Sequence, residues 1–153
     1  MLRIALAALH LLALGVGFGA VLRRAAALRE TVTPGSVRRA LRADLDWGLA
    51  SGLWIATGLW RWIGGIEKET GYYLDNHAFL TKMGVFALIF ALEIWPMVTL
   101  MRWRTAIGKG AAHESVAEPG TARRIATISK LQALLVVVMI VLAVMMARGF
   151  GAS

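Results

Sequence analysis

The stretch Ser129–Ala147, SKLQALLVVVMIVLAVMMA, decides the fold. After Gln132 it runs to Ala147 without a polar side chain. At about 1.5 Å per residue, a segment of that length reaches across a hydrocarbon core roughly 30 Å thick. Three further apolar runs follow the same rule, at Ile4–Leu22, Leu45–Ile63 and Ala78–Met101. Lipid offers no partner to backbone N–H and C=O groups, so each run must satisfy them internally as a helix. The sequence therefore predicts an all-α protein, a four-transmembrane-helix bundle with residues 1–153 forming one integral membrane domain.

Composition agrees. Hydrophobic residues make up 58% of the 153, more than a soluble domain of this size can hide. Cysteine is absent, which excludes disulfides, zinc–thiolate sites, iron–sulfur clusters and thiol nucleophiles. The net charge of +8 lies beside apolar spans and not in a separate basic domain. That placement favours the lipid bilayer and its anionic headgroups as partners, and not nucleic acid.

Orientation follows from where lysine and arginine fall. Arg23, Arg24, Arg29, Arg38, Arg39 and Arg42 crowd the first connection, and Arg102, Arg104, Lys109, Arg123 and Arg124 the third. In the middle one, Arg61 and Lys68 are offset by Glu67, Glu69 and Asp75. The positive-inside rule puts the first and third connections in the cytoplasm and the N- and C-termini on the periplasmic side of a bacterial inner membrane. Arg23 and Arg24 directly after the first run also argue against a cleaved signal peptide. Trp60, Trp62, Tyr72 and Tyr73 are expected at the outer interface, and Trp47, Trp95 and Trp103 at the inner one.

Local signals shape the ends. Residues 30–44 read as a short interfacial amphipathic helix, with Thr33-Pro34 as its start and Arg38, Arg39 and Arg42 on its wet face. Asp44 and Asp46 then open the second span as dipole caps. Residues 111–120 read as a flexible polar loop centre, and Pro96 as a kink or an early end of the third span. Gly15-x-x-x-Gly19 and Gly48-x-x-x-Gly52 predict a tight pair between the first two helices, with a homodimer contact as the alternative.

The ionisable residues within the spans mark candidate sites, because such groups are costly in lipid and face inward. Lys82 and Glu93 are 11 residues apart, which at about 100° per residue leaves them within some 20° of one stripe, with Phe86 and Ile89 between. Glu93 is expected to form a structural ion pair with Lys130, or with Arg42 or Arg102. His10 shares the depth of Lys82 near the outer face, beside Trp54, Thr57, Met139 and the Met145/Met146 pair. A membrane histidine ligates heme iron or a metal, relays protons, or simply hydrogen-bonds a neighbouring helix. Gly17, on the His10 face with Leu14 between, leaves room for a flat ligand, and Met145 or Met146 offers a thioether. Asp75 and His77 would form the mouth of the site.

Ala8-Leu9-His10-Leu11, the glycine-rich run ending at Arg23-Arg24, and His77-x-x-x-x-Lys82-Met83 resemble a superfamily of small bacterial membrane proteins. It includes the heme-linked membrane protoporphyrinogen oxidases and the copper-resistance-D-like proteins. Trp47-Gly48, Thr57-Gly58-Leu59, Glu67-Lys68, Tyr72-Tyr73, Asn76 and Glu93-x-Trp-Pro are similar to an uncharacterised branch, a domain of unknown function, over nearly the whole chain. The resemblance implies heme b, with His10 and Lys82 as the essential and catalytic pair of a heme-dependent membrane oxidoreductase. Lys68–Asn76 and Glu93–Pro96 depart from the oxidases. A small transporter or metal-handling protein using His10, and a non-catalytic assembly factor, are the alternatives.

Overall fold

A computed structural model describes residues 1–29, 31–64, 76–148 and 150. It contains four long helices, α1 (Leu2–Arg29), α2 (Pro34–Ile63), α3 (His77–Gly108) and α5 (Pro119–Ala147), and one single-turn helix, α4 (His113–Val116). No strand occurs among the described residues. The long helices pack side by side in the order α2, α1, α5, α3, with α2 and α3 meeting only along a thin seam. His10 of α1 lies at the same end as the last turns of α2 and α5 and the first turns of α3, so the start of α1 and the end of α5 are both at the His10 end.

Three of these helices, α1, α3 and α5, are long and apolar enough to cross a membrane. Helix α2 is as long, at 30 residues, but carries Asp44, Asp46 and Arg61 among glycines and tryptophans. Large apolar side chains such as Ile4, Leu12, Leu49, Phe90, Leu134 and Val141 face outward, as they would toward lipid.

Helix α2 corrects the expectation of a separate interfacial helix. Thr33 is its N-cap, and the reciprocal bonds of a capping box hold the start: Ser36 N–H donates to Thr33 Oγ1 at 3.1 Å and Thr33 N–H to Ser36 Oγ at 2.9 Å. Pro34 occupies the first turn, where its missing N–H costs nothing. From there the helix continues to Ile63 without a break, because Val37–Ala43 are mostly good helix formers and no glycine or proline interrupts them. Arg38, Arg39 and Arg42 are exposed, as the amphipathic reading expected. Asp44 and Asp46 lie mid-helix and are not caps. The predicted start of the segment at Glu30 falls outside the described residues.

Helix α3 passes through Pro96, which is buried, and continues to Gly108. The expected early end does not occur. Residues 111–120 contain α4, and Ala117 packs into a core with Leu28, Val37, Leu100, Trp103 and Ile125. This buried alanine pins the segment that was expected to be flexible.

The α1–α2 pairing is real, but the glycine motifs do not make it. A Cβ on Gly15, Gly48 or Gly52 would meet nothing within 4 Å. The close approaches are at Gly17, where a Cβ would lie 3.2 Å from the Trp47 ring and 3.5 Å from Ala50, and at Gly58, where it would lie 3.1 Å from the His10 ring. Trp47 and Trp103 are accordingly buried core residues and not interfacial anchors, whereas Trp60 and Trp95 are exposed.

Candidate functional site

Two polar layers lie inside the helices. The deeper one centres on Arg24, whose side chain is fully buried. Its Nε–H donates to Ser129 Oγ at 2.9 Å. One terminal nitrogen donates to Asp44 Oδ1 at 2.9 Å and Glu93 Oε1 at 2.7 Å, the other to Glu93 Oε2 at 2.7 Å and Gln132 Oε1 at 2.9 Å. All the N–H donors of the guanidinium are thereby used. Gln132 closes the ring by donating to Glu93 Oε2 at 2.7 Å and to the Ile89 carbonyl at 3.3 Å. Every long helix contributes a residue.

This network replaces the expected Glu93–Lys130 pair. Lys130 is exposed, as are Arg42 and Arg102, while Arg24 reaches Glu93 with two parallel bonds that suit a planar fork. One guanidinium faces two carboxylates here, and Arg104 stands at the rim, 3.8 Å from Asp44 Oδ2 and bonded to the Leu41 carbonyl at 2.9 Å. Sequence reasoning missed Arg24 by counting it with the surface charges. Its signal was spacing: His10, Gly17 and Arg24 follow one another at intervals of seven, which keeps them on one face.

The second layer surrounds His10. His10 Nδ1 is 2.9 Å from Thr57 Oγ1. The Thr57 hydroxyl donates to the Leu53 carbonyl at 2.8 Å, with the Trp54 carbonyl 3.1 Å away. With that proton turned to a carbonyl, Thr57 Oγ1 is open to accept from His10 Nδ1–H, the arrangement of the tautomer whose lone pair is on Nε2. The ring is also fixed by packing. Its centroid lies 5.7 Å from that of Trp54, and a Cβ on Gly58 would come within 3.1 Å of its Cε1.

Two adjoining chambers meet at this histidine. One, of about 140 Å³, lies at the α2–α3 seam against Trp62, Phe79, Met83 and Phe86. The other, of about 400 Å³, lies between α1 and α5 against Ala7, Leu11, Leu14, Ile140, Ala143 and Val144. His10, Trp54, Arg61, Lys82, Met139 and Met146 line both. The structure thus brings His10 and Lys82 to one cavity, and Phe86 and Ile89 face inward between Lys82 and Glu93.

Other expected members lie elsewhere. Gly17 has the Trp47 ring against it, so helix packing fills the space allotted to a flat ligand. Met145 is exposed at 40%, whereas Met146, seven residues beyond Met139, faces the cavity. His77 is exposed in the first turn of α3. Asn76 caps that helix, its side-chain oxygen accepting from Phe79 N–H at 3.0 Å. Asp75, Tyr72, Tyr73 and the Glu67-Lys68 pair lie outside the described residues.

Long apolar helices with lipid-facing side chains around an internal polar layer define a helical membrane protein. The chain belongs to an uncharacterised family described as "Predicted membrane protein (DUF2214)", which it matches over residues 2–151. No curated protein and no solved structure matches it.

Proposed function

We propose that this chain spans a bacterial inner membrane four times, with both termini periplasmic, and binds heme b beside His10 as a redox protein. Counting α2 as a span rests on its packing along α1 and on its polar residues, which serve inward tasks: Asp44 at Arg24, Thr57 at His10, Arg61 at the cavity. The orientation rests on the arginine-rich connections at the end opposite His10.

The observation that carries the heme reading is the His10–Thr57 bond. A ligating histidine characteristically donates its other ring N–H to a fixed acceptor, which orients the ring and raises its basicity. The donor set also fits the group in kind. His10 would offer Nε2 to iron, Met139 and Met146 would offer thioethers, and Lys82 and Arg61 would meet the propionates. The apolar walls of α1 and α5 would exclude water. Heme would supply one-electron transfer there. His10 holds and orients, Thr57 fixes its tautomer, and Lys82 provides a cation or a proton at the same depth.

A non-catalytic assembly protein is the second reading, and the Arg24 network favours it by accounting for Glu93, Asp44, Ser129 and Gln132 as packing. For the metal-handling reading, no group of three His, Asp or Glu ligands gathers among the described residues.

The visible spectrum of the purified chain, expressed with ample heme, separates these. A Soret band that is lost in His10→Ala, with the variant still inserted and folded, is the expected result. A wild type that is folded but spectrally silent would remove the redox reading.

A further inference from the structure

Arginines from two helices meet in an open groove of about 510 Å³ between α1 and α2, at the end away from His10. Arg23 comes from α1, and Arg39 and Arg42 from α2, over a floor that includes the buried Ala27 and Ala43. All three arginines are exposed, and neither the Arg24 network nor the His10 cavity uses them. Asp46 also lines the groove, but Arg23 holds it at 2.7 Å, with its guanidinium lying back along α1 over Gly19. Among the described residues, Arg39 and Arg42 have no carboxylate partner. The groove therefore carries an excess of positive charge. Two further basic grooves at this end each draw their cations from one helix, Arg102 and Lys109 from α3, and Arg123 and Arg124 from α5. Only arginine supplies the charge between α1 and α2, and its planar fork matches the oxygens of a phosphate better than a lysine does.

What lies beside the groove narrows the ligand. Arg23 directly follows the apolar run Ile4–Leu22, so the groove begins where hydrocarbon gives way to headgroups. On α1, Val16 and Leu12 lie within about 20° of Arg23 around the helix, and on α2, Leu49 and Leu53 lie within about 20° of Arg42. All four apolar side chains are exposed. The two helix faces that present arginine at the headgroup level thus present an apolar bed on its hydrocarbon side. A free anion has no use for that bed, and an acyl chain does.

We infer that the α1–α2 groove is a binding site for an anionic phospholipid, its phosphodiester held by Arg23, Arg39 and Arg42 and its acyl chains laid along the adjoining apolar faces of α1 and α2. Binding here rests on α2 lying in the bilayer beside α1. It depends neither on heme nor on which side of the membrane the groove faces.

Calorimetric titration of dioleoylphosphatidylglycerol, carried in detergent micelles, into the delipidated full chain tests it. Saturable binding is expected. Dioleoylphosphatidylcholine, with the same chains and no net charge, should bind at least about tenfold more weakly. Arg39→Gln combined with Arg42→Gln should weaken the phosphatidylglycerol site by about ten- to thirtyfold. Arg123→Gln combined with Arg124→Gln removes the same charge from the same end and should change it by less than about twofold. Equal affinity for the two lipids, equal losses in the two double variants, or absence of saturation would each overturn the inference. So would displacement of the lipid by inorganic phosphate at constant ionic strength, which would make the ligand a free anion. The four substituted arginines are exposed, so the variants should fold, and the comparison of the two lipids on wild type needs no variant. Heme is scored separately by absorbance and the spanning of α2 by reporter fusions, so failure of either is distinguished from failure of this site.

Discussion

Arg24 on α1 grips both carboxylate oxygens of Glu93 on α3, at 2.7 Å each, across the diagonal of the helices. Among the described residues α1 and α3 make no backbone-level contact, so this side-chain pair ties together two helices that are not direct neighbours. Asp44 from α2, with Ser129 and Gln132 from α5, completes the tie.

Arg24→Met should therefore be severe. It leaves Asp44 and Glu93 buried without their cation, and breaking a buried pair from one side costs about 3–5 kcal/mol. Arg23→Met removes only an exposed pair with Asp46, at 2.7 Å, and should cost under about 1 kcal/mol. Thermal unfolding in detergent, followed by size-exclusion chromatography, measures both. Equal losses at Arg23 and Arg24 would show that the network is not the buried tie described.

The glycines separate in the same assay. Gly17→Val presses into the Trp47 ring and should cost about 1–3 kcal/mol by forcing α1 from α2. Gly52→Val meets nothing and should stay within about 0.5 kcal/mol in the monomer. Should Gly52→Val instead dissolve a dimer while leaving the monomer stable, the Gly48–Gly52 face belongs to a second copy, as the sequence motif allowed.

Thr57 tests the orientation of His10. Thr57→Val keeps the shape and removes the oxygen that accepts from Nδ1–H. Under the heme reading it should lower heme affinity by about 10- to 100-fold, with Thr57→Ser restoring most of it. Heme titration of the apo form reads this directly. Unchanged affinity in Thr57→Val would separate the histidine's packing from any ligand role.

What the sequence made legible was depth and periodicity. The spacing of Lys82, Phe86, Ile89 and Glu93 correctly placed one inward stripe, and the shared depth of His10 and Lys82 placed them in one cavity. What it concealed was partner choice. Arg24 sits beside Arg23 in a charge cluster, yet one side chain is buried and the other exposed, a difference of helix rotation that a charge count cannot see. Gly17 and Met145 misled for the same reason. A glycine that admits a ligand and one that admits Trp47 look alike in one chain, and adjacent methionines differ by about 100° in the direction they face. The helix ends were hidden because apolarity marks where lipid begins and ends, whereas α2 and α3 carry their hydrogen-bonded ladders well past it.

Topology decides which side the His10 cavity serves. The connections near Arg23–Arg42 and Arg102–Arg124 hold most of the arginines, at the end away from His10. A positive-inside bias of that strength predicts that the cavity opens in the outer half of the bilayer. Reporter fusions after Gly110 and after Ser153 should therefore report opposite sides, cytoplasmic for the first and periplasmic for the second. Placing both reporters on one side would mean an even number of crossings between Gly110 and Ser153, so that α5 does not span. Cytoplasmic activity at Ser153 with periplasmic activity at Gly110 would keep the spans but invert the molecule, putting His10 and Lys82 at the cytoplasmic face.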